Sequence, residues 1–160
     1  MRTAIFPGSF DPFTIGHYEV LMQALDLFDK VIVAVGFNSS KKGFFAPEAR
    51  VEIIRQAVAH LPNVEVCSYS GLTIDACRKY GANHIIRGLR TTADFEMESV
   101  IAQANSKLAP EISTVFIPAY GEHSFVSSTI VRDLLIHNAN AAQFLPAGVE
   151  IEKFLEQRGK

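Results

Sequence analysis

The side chains best suited to phosphate chemistry fall at the turns of this chain rather than within its apolar runs: His17, Lys41, Arg87, Arg90 and the hydroxyl cluster Ser127-Ser128-Thr129. An imidazole, an ammonium group and two guanidinium groups are what stabilises charge on a reacting phosphoryl group. His17 closes the stretch Phe6-Pro7-Gly8-Ser9-Phe10-Asp11-Pro12-Phe13-Thr14-Ile15-Gly16-His17. Its two prolines and two glycines forbid regular structure and let the backbone approach a ligand closely. Val20, Leu21, Ala24, Leu25 and Phe28 recur at the spacing of one helix face, and His17 extends that stripe by one turn. The imidazole is thereby set in a helix's first turn, above the carboxyl end of the strand Thr3–Phe6. In open α/β sheets that crevice binds ligands, and the positive helix end with its free N–H groups favours phosphate.

The remaining elements must carry the other groups to the same place. Lys30–Gly36 is a continuous apolar run of the kind found in central parallel strands, and its loop, Phe37–Gly43, holds Lys41 and Lys42. Pro47-Glu48 opens a second helix, with Val51, Ile54, Val58 and Leu61 on one face. Val64–Cys67 reads as a strand, Ser70–Thr73 as a loop and Ile74–Tyr80 as a helix. The strand His84–Ile86 leads straight into Arg87-Gly88-Leu89-Arg90. A helix is expected from Asp94 to Leu108, with Met97, Val100, Ile101, Ala104 and Leu108 inside and Asp94, Glu98 and Asn105 on a polar side; the Phe and Met stripes are expected to be core. Thr114–Ile117 is the last strand. Ser124–Thr129 supplies capping residues for a helix over Ile130–His137, and Ala147–Gln157 is expected to be helical. This alternation predicts an α/β, Rossmann-like, doubly wound parallel sheet of about five strands with helices on both faces. Lys41, Thr73, Arg87, Arg90 and Ser127–Thr129 then gather at the end that carries His17.

Composition narrows the partners. The 160 residues suit one domain spanning 1–160, with no repeat or linker. Fifteen basic against seventeen acidic residues give a formal charge of −2, so neither nucleic acid nor an acidic membrane is an expected partner. No run approaches the ~20 apolar residues of a membrane span, no leader pattern opens the chain, and Cys67 and Cys77 do not make a metal or disulfide framework. A cytosolic protein is expected.

Thr14-x-Gly16-His17 resembles the T/H-x-G-H signature of the nucleotidyltransferase superfamily, and Val126-Ser127-Ser128-Thr129-Ile130-Val131-Arg132 its second signature, S-S-T-x-x-R. Pro7–Pro12, Lys41 in its Ser-Lys-Lys loop, and Arg87-Gly88-Leu89-Arg90 followed by Asp94-Phe95-Glu96-x-Glu98 are similar to the bacterial phosphopantetheine adenylyltransferases. The resemblance runs in order from Ile5 to Pro146. It implies transfer of AMP from ATP to 4′-phosphopantetheine, giving dephospho-coenzyme A and pyrophosphate. It also implies a homohexamer using the Asp94–Leu108 helix, and coenzyme A as a candidate feedback inhibitor.

By that resemblance His17 donates to the α-phosphate in the transition state, while Lys41 and Arg87 hold the acceptor phosphate and Ser9 hydrogen-bonds it. Ser9, Phe10, His17, Gly88, Leu89, Arg90, Glu98 and the loop His123, Ser124, Phe125, Val126, Ser127, Ser128, Thr129 hold ATP; Thr73 touches the pantetheine arm. The residue types agree with the chemistry. A phosphate nucleophile with a second pKa near ~6 needs no protein base, and the motifs offer no obvious carboxylate for one. Magnesium is expected to arrive with ATP. Two positions depart from the family pattern: Ser9 stands where threonine is usual, and His123 where tryptophan is common. Other transferases of this fold, acting on nicotinamide mononucleotide or forming cytidylyl products, meet their acceptors with other residues. A regulator that had lost catalysis would show damage at His17, Lys41 or Ser127–Thr129, and all are intact.

Overall fold

The computed structural model describes residues 1–158. Its elements in chain order are β1 (Thr3–Gly8), α1 (Ile15–Leu25), β2 (Lys30–Gly36), α2 (Pro47–Val58), β3 (Val64–Tyr69), α3 (Thr73–Tyr80), β4 (His84–Leu89), α4 (Thr92–Leu108), β5 (Ser113–Pro118), α5 (Ser128–Ile136), a short 3₁₀ turn (Ala142–Phe144) and α6 (Ile151–Arg158). The strands form one parallel sheet in the order β3-β2-β1-β4-β5. The chain winds outward from β1 to β3, returns past β1, and winds out again through β4 to β5. The reversal lies between β1 and β4, which makes that gap the expected ligand crevice.

The pairing itself opens there. β1 and β2 stay in register from Thr3↔Lys30 to Gly8↔Val35, and β4 and β5 from His84↔Ser113 to Leu89↔Pro118. β1 and β4 pair only at Ala4↔His84 and Ile5↔Ile85. Beyond those residues the two central strands part toward their carboxyl ends.

Alternation along the strands sorts the core. Ala4, Phe6, Val31, Val33, Val35 and Ile86 face α1 and α2, where they meet Val20, Leu21, Val51 and Ile54. Ile5, Ile32, Ala34 and Ile85 face Ile74 and Cys77 of α3 on the other side. A third cluster joins Phe45 and Ile53 to Val131, Leu135, Ile151 and Phe154, seating α5 and α6 against the outside of α2. Among the described residues no helix is long and apolar enough to cross a membrane.

Three sequence expectations need correction. None of α4's residues is buried: Met97, Val100 and Leu108 are each more than 60% exposed, and Phe95, Ile101 and Ala104 are exposed too. The apolar stripe faces outward, so it is not core in this chain. β4 runs on through Arg87, Gly88 and Leu89, leaving only Arg90 in the following loop. The last helix begins at Ile151 rather than Ala147, because Gly148 turns the chain at φ 90.

Candidate active site

The parted strands floor a cleft of about 350 Å³ lined by Ser9, Phe10, His17, Arg87, Gly88, Arg90, Glu98, His123, Ser124 and Val126–Thr129. Residues from three separate loops and two helix starts thus meet at one end of the sheet. α1 and α5 both begin at this cleft, so their free N–H groups and positive ends add to Arg87, Arg90 and Arg132. The two helix starts are stitched together. Thr14 and Ser127 cap α1 and α5, and Ser128 Oγ donates to the Pro12 carbonyl at 2.8 Å. A Cβ on Gly16 would lie 3.3 Å from the Val126 carbonyl, so that glycine lets the α1 start sit close against the 123–126 loop.

His17 is fixed from behind. The Thr14 N–H donates to its Nδ1 at 2.9 Å, which leaves the ring proton on Nε2, the nitrogen free to serve the cleft that His17 lines. Phe10 meets the ring edge-on at 5.0 Å and Phe13 stacks on it at 5.5 Å. Burial first, then the positive charges of Arg90 and Arg87, push its pKa from 6.5 down to about 3. The imidazole is therefore a neutral donor at any ordinary pH.

The loop leading to it is strained and braced. Phe10 is buried with φ 44, a left-handed conformation rare for an aromatic residue and costing on the order of 1–3 kcal/mol. Its ring lies over Gly8, where a Cβ would come within 2.9 Å of it. Asp11 accepts from the Phe44 and Phe45 N–H groups at 2.7 and 2.8 Å and faces Arg50 Nε at 3.4 Å. Arg50 also donates to the Ser9 and Phe45 carbonyls, and Arg132 to the Asp11 carbonyl. Asp11 lies in the opening motif but drew no role from it, and Arg50 drew none at all. An arginine four residues before Ile54, on the face of a helix read by its apolar spacing, is the signal the sequence holds.

On the opposite wall Glu98 holds Arg87 with two bonds, from Nε at 2.8 Å and Nη2 at 2.7 Å, while Arg87 Nη1 donates to the Pro7 carbonyl at 2.7 Å. Asp94 accepts from the Arg90 and Thr91 backbone N–H groups and lies 3.8 Å from the Arg90 guanidinium. His123 is paired through Nδ1 to Glu19 at 2.7 Å.

Four sequence candidates lie outside the main cleft. Thr73 lines an adjoining cavity of about 200 Å³ with Pro7, Ile85, Arg87, Glu98 and Asn105, and its hydroxyl pairs with Tyr69 at 2.9 Å. Lys41, exposed, borders a shallow depression with Lys42, Arg50 and Tyr69 that meets the cleft at Ser9. Leu89 ends β4 beside the cleft without lining it. Phe125 points away, 55% exposed, with its ring 5.7 Å from Phe144. Among the described residues no group of three or more His, Cys, Asp or Glu could hold a metal ion.

A family profile described as cytidylyltransferase-like matches residues 5–134. A phosphopantetheine adenylyltransferase of Bacteroides thetaiotaomicron is 48% identical over 94% of this chain and 99% of its own length. This chain belongs to the phosphopantetheine adenylyltransferase family. A second member, from Flavobacterium psychrophilum, is 45% identical over 95% of this chain and 100% of that protein. A solved structure from Vibrio parahaemolyticus, described as a nicotinate-nucleotide adenylyltransferase, shares the fold at TM-score 0.69, covering 94% of this chain and 98% of its own, with 20% identity.

Proposed function

We propose that the protein transfers the adenylyl group of ATP to 4′-phosphopantetheine, forming dephospho-coenzyme A and releasing pyrophosphate. The observation that carries the reading is His17, its Nδ1 occupied by the Thr14 N–H, lining the same cleft as two helix starts and two arginines. Such a site suits phosphoryl chemistry that needs positioning and charge stabilisation but no base. An acceptor phosphate oxygen attacks the α-phosphorus. The new O–P bond forms as the α–β bridging O–P bond breaks, and the bridging oxygen leaves with pyrophosphate. His17 donates to the non-bridging α-oxygens as charge builds there, and Arg90 with the α5 start takes the departing phosphates.

Arg87, Lys41 and Ser9 hold the acceptor phosphate, with Lys41 brought over by its loop. The cavity beside Thr73 and Asn105 takes the pantetheine arm. Phe10, Gly88, Leu89, Glu98 and His123–Thr129 surround ATP, which enters as its magnesium complex, a substrate rather than a resident cofactor. Coenzyme A carries the same arm and would compete for the site. The substrates are soluble and the reaction belongs in the cytoplasm. The outward stripe of α4 is the self-association surface of a homohexamer, an apolar patch of the sort that marks an interface.

Pyrophosphate release measured with ATP and a panel of acceptors tests the reaction. Release that depends on 4′-phosphopantetheine is expected; release with nicotinamide mononucleotide instead, or with no acceptor at all, overturns it.

A further inference from the structure

The Arg87–Glu98 pair stands where β1 and β4 part, and both residues line both cavities. It is the partition between them. A guanidinium group has five N–H donors. Glu98 takes the one on Nε and one on Nη2, and the Pro7 carbonyl takes one on Nη1. Two donors remain, one on each terminal nitrogen, which is the fork that a phosphate accepts in bidentate fashion. The pair is also unequal. Glu98's side chain is 14% exposed and Arg87's 33%, so the carboxylate is the sunken anchor and the guanidinium the presented group. Both carboxylate oxygens are engaged by Arg87, and the nearer wall of the arm cavity is made by the same two residues.

We infer that Glu98 is a positioning residue for the acceptor phosphate, acting through Arg87. The inference rests on the adenylyl-transfer reading for the identity of the acceptor. With Glu98 in place, Arg87 spans the split between the strands in one orientation before any ligand arrives, and its two unused N–H groups are what the acceptor meets. Without the carboxylate the guanidinium keeps only its bond to Pro7, so the fork is no longer set in advance.

The test is calorimetric titration of the protein and its Glu98→Gln and Glu98→Ala variants with 4′-phosphopantetheine and pantetheine separately, beside KM and kcat. Affinity for 4′-phosphopantetheine is expected to fall about tenfold in Glu98→Gln and further in Glu98→Ala, on the scale of a lost charge-assisted hydrogen bond. Affinity for pantetheine, which lacks the phosphate, should stay within about twofold. Glu98→Gln keeps the shape of the side chain and carries the test alone if the alanine variant folds poorly. An unchanged affinity for 4′-phosphopantetheine overturns the inference. So does an equal loss for pantetheine, which would mean a damaged cavity wall. A wild-type protein that binds 4′-phosphopantetheine in preference to pantetheine, loses that preference in the variants, and yet releases no pyrophosphate would sink the reaction and leave the role of Glu98 standing. A wild-type protein without the preference sinks both.

Discussion

Replacing His17 by Asn removes a titrating group while leaving an N–H donor, and two measurements follow from that. In the folded chain His17 binds a proton only near pH 3, because burial and then Arg90 and Arg87 disfavour the imidazolium. In the unfolded chain it binds one near its ordinary 6.5. The unfolded state therefore holds more protons between those values, and folding stability falls as pH drops through that window. At pH 4, two and a half units below 6.5, the loss relative to neutral pH is about 3 kcal/mol at 1.36 kcal/mol per unit. Asn has no such loss. The unfolding free energy of wild type minus that of His17→Asn, from urea titrations, should shrink by about that amount between pH 7 and pH 4, on the order of 10 °C in melting temperature. The kcat profile should carry no limb from His17. Any acid fall reflects the acceptor phosphate near ~6 and persists in the variant. His17→Ala, which also deletes the donor, should cost on the order of 10²–10³ in kcat. A stability difference that does not move with pH, or an acid limb that vanishes in His17→Asn, would refute the neutral-donor assignment.

Arg50→Ala leaves the Asp11 carboxylate buried without its cation and frees the Ser9 carbonyl; a loss of about 3 kcal/mol in urea unfolding is expected, with weaker binding of ATP. Gly8→Ala drives a methyl group against the Phe10 ring, and about 1–3 kcal/mol should disappear from the thermal melt while ATP affinity falls as the ring shifts toward His17. Val100→Glu puts a charge in the outward stripe of α4, and sedimentation should show smaller species than wild type at equal concentration.

Periodicity made the parallel sheet and the rim of loops legible, because buried strands and helix faces repeat at their own spacings. Arg87, Arg90, His17 and Ser127–Thr129 could be placed together from topology alone. Periodicity failed at α4 for a physical reason. An apolar stripe says that a helix has a face to cover, and Met97, Val100 and Leu108 cannot say whether the same chain covers it. The bracing of the Ser9 loop was equally illegible. Asp11 reaches across 33 residues to Phe44 and Arg50 across 41 to Ser9, and neither bond leaves a local pattern. Phe125 sits between cleft-lining neighbours and turns outward, where its ring meets Phe144 edge-on.

α4 supplies the two carboxylates that steady the guanidinium pair, Asp94 for Arg90 and Glu98 for Arg87, while sinking no side chain of its own into the body of the fold. The rod that aims the reaction centre is thus moored mainly at its inner polar edge. Its bare outer flank lies within a single helical turn of the phosphate grip, so whatever covers one stands next to the other.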